Sequence, residues 1–83
     1  MPKLNVDVRE IHKAGYNVQR REKWFCAIVS SKTGESVLKV VLLPSSIVAL
    51  NRETFSCSHD EVHITLKEGK PVAECGNKLI WAI

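Results

Sequence analysis

Apolar side chains recur at every second position in two widely separated stretches of this chain. Leu4, Val6 and Val8 alternate with Asn5, Asp7 and Arg9, and Val62, Ile64 and Leu66 alternate with His63, Thr65 and Lys67. A two-residue period places the apolar set on one face of a strand and the polar set on the other, so both stretches predict half-buried strands. The first is expected to run on toward Ile11.

Three further apolar runs, 23–30 (KWFCAIVS), 37–43 (VLKVVLL) and 78–83 (KLIWAI), lack clean alternation and are rich in β-branched and aromatic types. Such runs fit strands covered on both faces. Turn chemistry separates them: Gly15 and Asn17 in HKAGYN, Gly34 in SKTGES, Pro44, Gly69 in EGKP, and Gly76-Asn77. Between Pro44 and the polar loop SCSHD lies SSIVALNRETF, where Ile47 and Leu50 are three apart and Ser45 or Ser46 suits a helix N-cap. That spacing predicts a short helix over residues 46–54.

The resulting order, β-β-β-α-β-β, predicts a mainly β fold: a small single-domain antiparallel barrel or strongly curved sheet, OB-like in its order. An α+β open sheet is the alternative. At 83 residues the chain is long enough for one core and too short for two, so residues 1–83 are expected to form a single compact domain. An apolar fraction of 45% and a charged fraction of 25% are those of an ordinary folded domain.

No apolar run reaches the roughly 18 residues needed to span a bilayer, and MPKLNVDVRE lacks the apolar middle of a signal peptide, which predicts a cytoplasmic protein. Cys26, Cys57 and Cys75 form no recognisable framework. They fit free thiols in a reducing compartment better than a disulfide scaffold, with a Cys57–Cys75 bridge as the alternative.

The net charge of +3 is unevenly distributed: residues 1–39 carry eight basic and four acidic side chains, and residues 40–83 four basic and five acidic. Most of the basic excess falls in one segment containing Arg9, His12, Lys13, Tyr16, Arg20, Arg21, Lys23 and Trp24. Cations spaced along a phosphate backbone, with flat rings for unpaired bases, are what single-stranded DNA or RNA binding requires. Arg9, Lys13, Arg20, Arg21 and Lys23 are the expected phosphate contacts, and Tyr16 and Trp24 the expected stacking rings. Period two from residue 23 puts Phe25 inward with Ala27 and Val29, and Trp24, Cys26 and Ile28 on the other face.

The competing expectation is a protein-interaction module or small regulator acting as a homo-oligomer. With two-faced apolar strands at 24–29, 37–43 and 79–83, the chain holds more apolar faces than one small body can cover.

Cys57, His59, His63 and Cys75 are all zinc-ligating types, but they lack the tight C-x-x-C or helical H-x-x-x-H pairing that fixes two ligands at tetrahedral distance. Ser58-His59-Asp60 holds the residue types of a catalytic triad, yet adjacent residues cannot adopt its linear geometry. Neither a GxSxG elbow nor a phosphate loop occurs. The chain is therefore expected to be non-enzymatic, with no cofactor, no membrane and no small-molecule substrate.

Overall fold

The computed structural model describes residues 3–83, and at Trp24 the backbone alone. Among the described residues, nine strands form two sheets, accompanied by one short α-helix. The five-stranded sheet is an antiparallel meander in the order β2-β3-β4-β5-β6, built from Tyr16–Arg21, Cys26–Ser31, Ser36–Leu43, Ile47–Leu50 and Glu53–Ser56. The four-stranded sheet has the order β1-β7-β8-β9, from Lys3–Val6, Glu61–Lys67, Lys70–Cys75 and Lys78–Ala82.

The expectation of a mainly β protein holds, and two of its finer parts do not. The sheets do not close into a barrel. The OB-like order is also not reproduced, because the helix α1, Val8–Lys13, follows the first strand, and β1 pairs in parallel with β7.

One hydrophobic cluster joins the sheets. Leu4, Val62, Ile64 and Ala73 face it from the four-stranded sheet, and Ala27, Val29, Leu38, Val40, Val48 and Leu50 from the five-stranded one. Register explains the sorting: Leu4 lies opposite Val62, Val6 opposite Ile64, Val29 opposite Leu38 and Val40 opposite Leu50, so paired residues share the inner face.

The first strand ends earlier than its alternation suggests. Asp7 continues the ladder by donating its backbone N–H to the Ile64 carbonyl, and then its own carbonyl accepts from Ile11 N–H to start α1. Val8 satisfies both a strand period with Leu4 and Val6 and a helical i, i+3 spacing with Ile11. Ile11 is fully buried in the core, and its burial favours the helix.

Residues 46–54 are not helical; they form the hairpin of β5 and β6. Its turns use left-handed residues other than glycine: Ser45 and Ser46 at φ 63° and 60°, and Asn51 at φ 57°. Asn51 also extends the sheet through its side chain. Its Oδ1 accepts from Lys39 N–H at 2.9 Å and its Nδ2 donates to the Val37 carbonyl at 3.3 Å. The turn at 68–71 is tighter than expected: Glu68 and Gly69, both at positive φ, form a two-residue loop between the paired Lys67 and Lys70.

Cys57 and Cys75 are joined in a disulfide with a Cα–Cα distance of 5.8 Å, and Cys26 is the free, buried cysteine. The free-thiol reading is therefore corrected for two of the three cysteines. Cys57 follows β6 directly and Cys75 ends β8, so the bond ties one sheet to the other. It also removes the thiol argument for a reducing compartment. No helix among the described residues is long and apolar enough to cross a membrane.

Candidate functional site

The predicted cations are carried by α1, β2 and the turn that follows β2. Arg9 and Lys13 are exposed and four apart on α1, hence on one side of it, and Lys13 lies 3.9 Å from Glu10. The helix packs against β2, which carries Tyr16, Arg20 and Arg21, and Lys23 occupies the single 3-10 turn Glu22–Trp24 that follows. Because β2 is an edge strand, these side chains line one edge of the molecule. Lys32, absent from the sequence reading, joins them: its Cε lies near Gly15, 3.7 Å from where a β-carbon would stand.

Period two divides the adjacent arginines between the two faces of β2. Tyr16 is half-buried and packs on the core, as does Val18, so its ring is committed to the interior. The Trp24 side chain lies outside the described residues. Phe25, expected to point inward, is instead 42% exposed, because the 3-10 turn ends at it and β3 begins only at Cys26.

A different surface emerges on the outer face of the five-stranded sheet. Arg21 lies opposite Cys26, Cys26 opposite Val41, Val41 opposite Ala49 and Ala49 opposite Thr54, one row crossing all five strands. The row beside it runs Gln19, Ile28, Lys39, and on the other side Leu43 lies opposite Ile47 and Ile47 opposite Ser56.

Cys26, Ile28, Val41, Leu43, Ile47 and Ala49 thus form a continuous aliphatic patch, with Ile47 37% exposed, Ile28, Val41, Leu43 and Ala49 half-buried and Cys26 buried. Polar Gln19, Thr54 and Ser56 rim it, and Arg21 and Lys39 supply its charge. This is the second apolar face that the runs at 24–29 and 37–43 imply. The same count of strand faces at 79–83 gives a smaller feature. The edge strand β9 borders a groove of about 520 Å³, floored by Val72, Leu79, Ala82 and Ile83, with Lys67 and Lys70 at its rim.

Away from that groove, the outer face of the four-stranded sheet is polar around His63. Thr65 Oγ1 donates to Asp7 Oδ2 at 2.7 Å, and His63 Nε2 stands 2.9 Å from Asp7 Oδ1. The approach is short, but the buried Nε2 meets no acceptor along its N–H direction. On the other side, His63 Nδ1 is 3.9 Å from Glu74, whose second oxygen is 3.5 Å from Lys67 Nζ.

The His63 contact chiefly, with the Thr65 hydrogen bond, holds the Asp7 carboxyl below its ordinary value against the opposing effect of burial. Thr65 gives its proton to Asp7 and not to His63, so the cluster orders a threonine without activating it. It fastens the start of α1 to β7 and β8. Asp7 consequently makes no side-chain cap on its own helix.

The proposed metal-ligating types are dispersed. Cys57 and Cys75 are committed to the disulfide, which leaves no thiolate for a metal. His59 covers Gly76, where a β-carbon would come within 2.8 Å of its ring, while His63 faces Asp7 and Glu74. Among the described residues, no three His, Cys, Asp or Glu side chains approach closely enough to hold an ion.

Fold and surfaces together define a class: a small two-sheet β protein, disulfide-tied, with one aliphatic outer sheet face and one basic edge. No family model, curated protein or solved structure matches the chain.

Proposed function

We propose that this chain is a small non-enzymatic binding protein that engages a protein partner through the outer face of its five-stranded sheet. One observation carries the reading: the aliphatic patch around Val41, in a molecule whose core is already filled by the opposite faces of the same strands. Aliphatic side chains at the middle of a sheet face gain by being covered, whereas stacking on nucleic acid bases calls for rings.

The test compares wild type with Val41→Lys. On an outer face the substitution shifts thermal unfolding by about 3 °C or less, the range of ordinary surface changes. Proteins that co-purify with wild type from native extract are lost with the variant. Retention of the same set by Val41→Lys sinks the reading.

A second reading, single-stranded DNA or RNA bound along the basic edge, is supported by the placement of Arg9, Lys13, Arg20, Arg21 and Lys23 on adjoining elements, α1, β2 and the 3-10 turn. Five phosphate contacts to a single strand give a log–log salt slope of about −3.5, or about a hundredfold loss of affinity from 50 to 200 mM salt. Under this reading Arg20→Ala/Arg21→Ala abolishes retention on a heparin column; unchanged retention excludes it.

A further inference from the structure

We infer that the occupant of the outer sheet face is an amphipathic helix of acidic character: an aliphatic stripe flanked by aspartate or glutamate. This rests on the reading of that face as a protein interface and goes further, because charge and shape select among occupants. The paired outer positions of the five strands carry Arg21 and Lys39 and, among the described residues, no acidic side chain. Both cations adjoin the same part of the aliphatic patch: Arg21 stands on the edge strand beside Cys26, and Lys39 on the central strand beside Ile28.

A second copy of the chain fits this face poorly. A two-fold interface presents the same patch twice, which would bring two arginines and two lysines into one contact with no acidic partner. Nucleic acid fits poorly as well, since the patch is aliphatic throughout.

An extended peptide joins a sheet at its edge, through backbone hydrogen bonds; it is a helix that covers a sheet face. Five strands spaced about 4.8 Å apart give a face about 19 Å wide, enough for one helix about 10 Å across with room for its flanking carboxylates to reach the cations.

Two synthetic 18-residue helical peptides serve as probes, with the same leucine stripe and either glutamate or lysine along both its borders. Amide chemical shifts of the full chain report where they bind. The Glu-bordered peptide is expected to shift Ile28, Lys39, Val41 and Ala49, and the Lys-bordered peptide to leave them in place. Arg21→Glu/Lys39→Glu should weaken the first peptide at least tenfold and admit the second, while Val41→Lys abolishes both.

Equal binding of the two peptides, or no reversal by the double variant, overturns the acidic occupant while leaving the face as an interface. Absence of shifts with either peptide overturns it too, and the co-purification test then reports separately whether the face binds any protein. Shifts at the same four amides on raising protein concentration alone would assign the face to a second copy. The same shifts on adding a single-stranded oligonucleotide would assign it to nucleic acid. Either result replaces the helix.

Discussion

Val40 and Val41 are chemically identical neighbours with opposite fates. Val40 is fully buried between Ala27 and Leu50, whereas Val41 looks outward between Cys26 and Ala49. Truncation in the inner set removes buried contacts and leaves a cavity: Leu38→Ala should destabilise by about 3 kcal/mol. Val41→Thr on the outer face should change stability by less than about 0.5 kcal/mol. Urea unfolding of both variants measures the contrast.

Asp7 makes a prediction of a different kind. Its carboxyl titrates lower in the folded chain than its ordinary value of 3.8, so the native state favours the ionised form. That contribution is present above pH 3.8 and is lost as pH falls below it through the native value. Asp7→Asn should flatten the acid end of the stability profile between pH 5 and about 2.5, read by urea midpoints. An unchanged slope would show that the contacts with His63 and Thr65 do not favour the carboxylate.

At the scale of elements, the hairpin of β5 and β6 shows what local pattern reading could not reach. Ile47 and Leu50 have helical spacing, but in the strand one lies on each face, Ile47 outward and Leu50 inward. The usual hairpin flags, Asn-Gly or Asp-Gly, are missing, because Ser45, Ser46 and Asn51 take the left-handed conformations that glycine normally supplies. What holds Asn51 there is tertiary, the pair of hydrogen bonds to Val37 and Lys39.

Asn51→Gly keeps the backbone conformation and loses those bonds, a cost of about 1 kcal/mol. Asn51→Ala also forces a β-carbon into the left-handed region and should cost about 2 kcal/mol. Equal losses would show that backbone conformation is not what restricts this position.

Elsewhere the local code was readable. The alternation at 62–66, Glu68-Gly69 and Gly76-Asn77 all appear where their chemistry places them. At the basic segment, residue type announced charge correctly but not direction. A 3-10 turn between Arg21 and Cys26 shifted Phe25 out of the strand phase, and Tyr16 turned inward.

For the whole molecule, the disulfide and the division into two sheets belong together. Spacing alone does not reveal that Cys57 and Cys75 meet, since they sit in different sheets and only the folded layers bring them together. Closing a loop of 18 residues restricts the unfolded chain, so Cys57→Ser/Cys75→Ser should lower stability by about 3 kcal/mol. Thermal unfolding with and without reductant should show the same loss, with wild type under reductant approaching the double variant. No effect of reductant on wild type, with the thiols shown to be free, would mean the bond adds nothing to this fold.

The parallel pairing of β1 with β7 sets an order of events during synthesis. The meander from β2 to β6 needs only sequential neighbours, so each hairpin can close as it leaves the ribosome. Leu4, made well before β7, has no strand partner until Val62 has emerged. Throughout that interval β1 is an unpaired apolar edge, and slowing translation after β6 would lengthen the period in which it is open to aggregation or chaperone capture.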